Sequence, residues 1–404
     1  MRAYGVLALL ALTGCASILP RRPPAPVPAP TQGPTTPTDT KPGAPAPPPP
    51  VDPRTGEVRD EDKPDWMRGL RRPAFNDLPL RWSPRVSRFL EQYRNEPRYR
   101  EIARGWMRRL PAYRSRMESV LVRHGLPPGL IFVAMIESGF VAGAASPRSA
   151  GGFWQFLPEV ARGYGLEVSF WVDERRDPDK STEAAALYLQ DLYARFGSWE
   201  LALAGYNAGV YAVLTSIARY NTNDYQTLVS VESGLPWETT EYVPKVLAVA
   251  IVEQNLGAFG IDNSAADQPR PFDTITVGGG VAFEAIASRL GIATEELAAL
   301  NPAYPRRRTP PDRTACPLRV PPGKSLKAGE LGPGDYTLLR VRPGETLARI
   351  ARAKGVSRDR LREINGVTNE SDVTPGTAIY VPRTKKPGKA AAPAKTGKKP
   401  GKSR

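Results

Sequence analysis

Leu126-Pro127-Pro128-Gly129-Leu130-Ile131-Phe132-Val133-Ala134-Met135-Ile136-Glu137-Ser138-Gly139-Phe140 reads as a helix with no solvent face. The prolines suit a helix start, because their φ is already helical and their missing amide protons would have had no helical partner. From Leu130 to Ile136 every residue is apolar, so the helix is buried all round. Glu137 closes it at the C-terminal end, where the helix macrodipole disfavours negative charge. Desolvation and the dipole both push a carboxyl pKa upward, as a general acid working near neutral pH requires. The ordinary alternative is a Glu137 just past the helix, solvated or paired with an arginine.

Outward from this helix the chain stays helical. Between Asp65 and Leu121, Trp66, Trp82, Phe89, Tyr93, Trp106 and Leu110 alternate with arginines, which predicts helices packing onto the next domain. Downstream lie Ser146-Pro147-Arg148-Ser149, Gly152-Phe153-Trp154-Gln155-Phe156, a helix from Ser181, then Tyr206-Asn207-Ala208-Gly209 and Glu238-Thr239 with Tyr242-Val243. A glutamate, amides and tyrosines spread over one helical domain suit sugar chemistry: amides and hydroxyls bind sugar hydroxyls, and aromatic faces pack on pyranose rings.

Composition narrows the alternatives. A chain of 404 residues holds two or three folded units. One histidine and two cysteines build neither a His/Cys zinc site nor a disulfide framework. A Ser-His-Asp triad would have to use His124, which reads better as a surface or capping residue. No metal and no cofactor are expected, and the chemistry falls to carboxylates, hydroxyls and amides. Cys316 reads as a small packing residue.

Taken in order and spacing, these motifs resemble family 1 lytic transglycosylases, over Met117 to about Gly260. The resemblance implies a lysozyme-like catalytic domain, residues 117–260, preceded by a helical extension, residues 65–116. It implies that Glu137 is the single acid and base. Tyr206 and Asn207 would orient the acid and the substrate's N-acetyl group, and Ser138, Gln155 and Tyr242 would line the groove. Glu238 is expected to pair within the domain. Ser149 stands where the family usually has glycine, Phe153 where leucine is usual, Gly205 where alanine is common, and Tyr211 where another glycine often lies.

The C-terminal third repeats. Tyr336 to Ala351 predicts a strand, a turn and a helix start; Ser357 caps a second helix, and Val373 to Pro382 returns as a strand. This βααβ order over residues 336–383 resembles a LysM module. The resemblance implies binding of N-acetylglucosamine-containing glycans through Gly344, Thr346, Leu347 and Asn365. A second copy covers residues 272–322, with Phe283 for Leu347, Leu297 for Leu361, Asn301 for Asn365 and Val320-Pro321 for Val381-Pro382. It lacks the Gly-Glu-Thr turn, so its fold is expected to persist while its glycan contacts are in doubt.

The ends read as address and spacer. Residues 1–15 form an export signal ending Leu12-Thr13-Gly14-Cys15, which resembles the lipobox of bacterial lipoproteins and implies lipidation of Cys15. Ala16-Ser17, with no acid at the second mature position, implies the outer membrane facing the periplasm. Residues 16–64 are a proline-rich tether, and residues 384–404 a basic, disordered tail. The expected whole is a mainly α, lysozyme-like (α+β) catalytic domain followed by two small βααβ LysM modules. The resemblance implies a peptidoglycan lytic transglycosylase cutting between N-acetylmuramic acid and N-acetylglucosamine and leaving 1,6-anhydro ends. The alternatives are a lysozyme-type hydrolase and an inactive wall-binding scaffold. Expected partners are glycan strands and, through the lipid, a membrane; nucleic acid is not among them, and protein partners are unspecified.

Overall fold

The computed structural model describes residues 51–383 apart from 53, 54, 75, 328, 329, 333 and 335. The expected signal with Cys15, most of the tether and the tail 384–404 lie outside the described residues. In chain order the first part comprises α1 (Asp65–Arg68), α2 (Pro84–Asn95), α3 (Pro97–Arg109), α4 (Arg114–Arg123), α5 (Ile131–Ser138) and α6 (Pro158–Gly163). It continues with α7 (Pro178–Phe196), α8 (Trp199–Ala208), α9 (Val210–Tyr220), α10 (Tyr225–Ser230) and α11 (Trp237–Gln254). None of the helices among the described residues is long and apolar enough to cross a membrane.

Helix α5 is the predicted one. Ile131 to Met135 are fully buried, and Glu137 is its penultimate residue. Gly139 ends the helix at φ 57°, in the left-handed region. A Cβ there would lie 2.5 Å from the Trp106 ring, so the turn and the close approach both require glycine. Helix α11 carries Pro244 in its interior, which denies the Thr240 carbonyl its helical donor. The buried Tyr225 hydroxyl lies 3.4 Å from that oxygen and 3.3 Å from the Thr239 carbonyl, and donates there instead.

One core runs without a break from Val58 to Ile261. The extension expected over residues 65–116 therefore shares its interior with the segment it precedes, and no seam falls at 116/117. The tether also ends earlier than expected. Val58 is buried, its amide bonds the Trp82 carbonyl at 2.8 Å, and Lys63 lies over the Trp82 ring at 4.1 Å. The prolines stop before this stretch, and an apolar side chain with a place in the core orders it.

The repeat folds twice. The first copy is β1 (Asp273–Val277), α12 (Phe283–Leu290), α13 (Thr294–Leu300) and β2 (Cys316–Val320), with β1 and β2 antiparallel. The second is β3 (Tyr336–Arg340), α14 (Leu347–Lys354), α15 (Arg358–Ile364) and β4 (Ala378–Pro382), paired likewise. Cys316 is a free, buried cysteine. Asn301 and Asn365 occupy the same post. Asn365 Nδ2 donates to the Leu361 and Tyr380 carbonyls at 2.9 and 2.8 Å, and its Oδ1 accepts the Tyr380 amide at 2.6 Å. Asn301 repeats this with Leu297, Arg319 and the Arg319 amide.

That corrects two expected glycan contacts. Asn365 is fully buried and ties the second helix to the returning strand, while Leu347 lies in the module core. Of the four expected contacts, Gly344, at φ 75°, and Thr346, the N-cap of α14, stand exposed at the turn. Asn365→Ala leaves three backbone groups without their partner and should destabilise the module by roughly 2–4 kcal/mol in urea unfolding. The exposed Asn369→Ala should cost under about 1 kcal/mol; equal losses from the two would refute the structural assignment.

Candidate active site

Five helices bring the site together. Glu137, Asn207, Glu238, Tyr242 and Lys245 line one cavity of about 540 Å³, with Arg88, Phe89, Gln92 and Tyr99 from α2 and α3. The Tyr242 hydroxyl donates to Glu137 Oε1 at 2.6 Å. Burial acts most strongly on the carboxyl and pushes its pKa up to about 7. The Tyr242 hydrogen bond and Lys245 pull it down, and Glu238 adds to the rise. Tyr242 and Tyr206 are themselves held well above the usual tyrosine range, first by burial and then by Glu137. Burial lowers the Lys245 pKa, against the pull of Glu137.

The predicted residues take different posts. Asn207, which lines the cavity, accepts the Thr239 hydroxyl at Oδ1 at 2.8 Å, leaving its amide nitrogen to act as a donor. The Tyr206 hydroxyl donates to the Trp154 carbonyl at 2.7 Å, so the tyrosine that holds the acid is Tyr242 rather than Tyr206. Ser138 is half-buried and bonded within the fold. Its hydroxyl donates to the Phe153 carbonyl at 2.8 Å and accepts the Phe140 amide, pinning the end of α5 to the 153 turn. Gln155 sits in that turn at φ 48°, its Nε2 donating to the Gly152 and Ala144 carbonyls at 2.9 and 3.2 Å. His124 caps α4 and bonds Glu183 at 2.6 Å.

Glu238 departs from its expected structural role. It is exposed, and its carboxylate has no ion pair or hydrogen bond with another described residue. The sequence reading also missed the cavity's other wall. Gln92 and Tyr99 come from the extension, and Gln92 Oε1 is a buried acceptor with no partner among the described residues. Trp237 stands 78% exposed at the rim, an open aromatic face of the kind that packs on sugars. Lys245 was legible in principle, lying three residues after Tyr242 on the same helical face.

Residues 121–229 match the family described as Transglycosylase SLT domain, residues 271–328 the Lytic transglycosylase MltD, LysM-like domain, and residues 339–382 the LysM domain. The chain thus carries an SLT domain followed by an MltD-type LysM-like domain and a LysM domain. It is 30% identical to the membrane-bound lytic murein transglycosylase D of Escherichia coli K12 over 284 residues, 64% of this chain and 61% of that protein. The chain therefore spans about three fifths of the length of that curated relative. A putative tributyltin chloride resistance protein of Alteromonas is 35% identical over 116 residues, 28% of this chain and 56% of that one. An inactive mutant of the lytic transglycosylase Slt from Pseudomonas aeruginosa aligns at 26% identity and TM-score 0.31, over 38% of this chain and 26% of that one.

The raised carboxyl pKa has a stability consequence. Between the ordinary glutamate value and about 7 the folded protein keeps a proton that the unfolded chain has lost, so stability falls as pH rises through that window. Glu137→Gln should be more stable than the parent by on the order of 2–3 kcal/mol at pH 8.5, with the difference vanishing near pH 4. Denaturant unfolding at the two pH values measures this, and a pH-independent difference would contradict it.

Proposed function

We propose that this chain is a peptidoglycan lytic transglycosylase in which Glu137 serves alone as acid and base. The observation that carries the reading is the buried Glu137 carboxyl, raised to about 7 and held by Tyr242, in a cavity whose other carboxylates, Glu238 and Glu241, do not share that bond, in a chain with a matched SLT domain. Protonated at neutral pH, Glu137 donates its proton to the glycosidic oxygen between N-acetylmuramic acid and N-acetylglucosamine as the C1–O bond breaks. The carboxylate left behind, stabilised by Tyr242 and facing Lys245, takes the proton of the muramic C6 hydroxyl. That oxygen bonds to C1 and closes a 1,6-anhydro ring without consuming water. The nucleophile belongs to the same sugar and acts at high effective molarity. In this reading the Asn207 amide binds the N-acetyl carbonyl, and Trp237, 78% exposed, carries a ring at the rim.

The exposed, unpaired Glu238 favours a second reading. A carboxylate across the cavity could activate water, as in glycosidases that use two acids, and the product would then carry a reducing end. The remaining parts fit a wall enzyme. Gly344 and Thr346 expose a turn for glycan, and weak binding there raises the local concentration of Glu137 on an insoluble polymer. Lipidation at Cys15 and residence in the outer membrane, facing the periplasm, complete the proposal; the Escherichia coli relative is named as membrane-bound.

Purified peptidoglycan digested with the protein and analysed by mass spectrometry should yield 1,6-anhydro-muropeptides, and reducing ends in their place would select the hydrolase. Glu137→Gln should lower turnover at least about a hundredfold while sacculus pull-down stays unchanged. Parent-level turnover by that variant would refute the assignment.

A further inference from the structure

We propose that the two C-terminal modules brace the 149–156 turn of the catalytic site through Arg306 and Trp171, and so act on turnover itself as well as on adhesion to the wall. The inference rests on the transglycosylase reading for its catalytic consequence, and on the contacts alone for the brace.

The turn is a demanding piece of backbone. Ser149 and Gln155 hold φ of 65° and 48°, in the left-handed region where a side chain is strained by roughly 1 kcal/mol or more. Such a conformation persists only where its surroundings impose it. Here they do so through one buried ion pair. Arg175 is gripped by Asp173 at 2.8 and 2.9 Å, and its Nη1 donates to the Ser149 and Phe156 carbonyls at 2.7 and 2.9 Å. The Arg175 carbonyl accepts the Phe153 amide, and a Cβ on Gly152 would lie 1.8 Å from that oxygen. The turn connects in its other direction to the acid, because the Phe153 carbonyl takes the Ser138 hydroxyl and the Trp154 carbonyl takes the Tyr206 hydroxyl.

The segment that carries Asp173 and Arg175 is also where the modules sit. The Asp173 amide donates to the Ala303 carbonyl of the first module at 2.8 Å. Trp171 and Val172 are buried in the first module's core cluster, together with Ile364 and Tyr380 of the second. The Trp171 indole donates to the Ala378 carbonyl at 2.8 Å. Arg306 lies in the Pro/Arg loop that distinguishes the first copy, and it joins all three bodies. Its guanidinium stacks 3.7 Å from the Phe170 ring centroid and donates to the Phe170 carbonyl at 2.7 Å. It also reaches the Gly366 carbonyl at 2.7 Å and Asp372 at 3.0 Å in the second module. The guanidinium is nearly buried and its bonds to the Phe170 and Gly366 carbonyls are partly shielded, while Asp372 stays open to solvent. The longer loop that weakened the first copy's resemblance to a glycan binder is thus what makes it an adaptor.

The test compares the full chain with Arg306→Ala and with the exposed Arg352→Ala as control. At saturating soluble glycan tetrasaccharide, adhesion no longer limits the rate, so kcat reports on the groove. Arg306→Ala should lower kcat about tenfold with little change in KM, since small misplacements of a catalytic constellation are costly. Amide hydrogen exchange at residues 149–156 should accelerate about tenfold or more in the same variant. Arg352→Ala should match the parent in both. Should Arg306→Ala fold poorly, Trp171→Phe keeps a smaller aromatic ring in the module core and removes the indole N–H bond to Ala378, and it should show the same changes at smaller size. Unchanged kcat and unchanged exchange at 149–156 in folded variants would overturn the brace. A parent chain with no turnover would instead sink the transglycosylase reading, and the exchange comparison would still decide the brace.

Discussion

Everything in the catalytic part answers to one constraint: an ionisable carboxyl is buried at the C-terminal end of an apolar helix. Such a site disfavours the charged form by several kilocalories unless something compensates it. The Tyr242 hydroxyl supplies one hydrogen bond, and Lys245 supplies a nearby positive charge without an ion pair. The balance stops short of full compensation, and the carboxyl stays poised near neutrality. A tighter salt bridge would have fixed it as a carboxylate, and a drier pocket would have kept it protonated at any physiological pH. Either outcome would remove one of the two proton transfers of the proposed reaction.

The rest of the fold serves that poise. Helix α11 must place Tyr242 and Lys245 against the acid across a proline-broken turn, and Tyr225 satisfies the carbonyl that the break exposes. Gly139 lets Trp106 press on the helix end behind Glu137. The 149–156 turn anchors both α5 and α8, and it is held in turn by the Asp173–Arg175 pair. Removing one member of such a buried pair leaves the other uncompensated, so its conformational grip exceeds its net stabilisation. The modules rest on that same segment, through the Asp173 amide and the Trp171 indole.

Much of this was legible in the residues, for identifiable reasons. The all-apolar run Leu130–Ile136 announces burial whatever surrounds it, so Glu137 and the direction of its pKa could be read locally. The repeat was legible because Asn301 and Asn365 recur in register, yet their role was not. A buried asparagine that ties a helix to a strand and an exposed one that binds a sugar look alike in a sequence. Leu347 failed in the same way. The cavity wall built by Gln92 and Tyr99 was hidden because those residues reach Glu137 only through tertiary packing of α2 and α3. Arg306 was hidden too, since a Pro/Arg loop reads as an insertion until its three acceptors are seen together.

The central claim is that Glu137 in the folded protein exchanges its proton near neutrality. Carbon-13 NMR of labelled glutamate side chains measures this directly, with the Glu137 resonance assigned by its loss in Glu137→Gln. A titration midpoint near 7, moving higher in Tyr242→Phe, is the predicted result. A midpoint in the ordinary glutamate range, unmoved by Tyr242→Phe, would contradict the account.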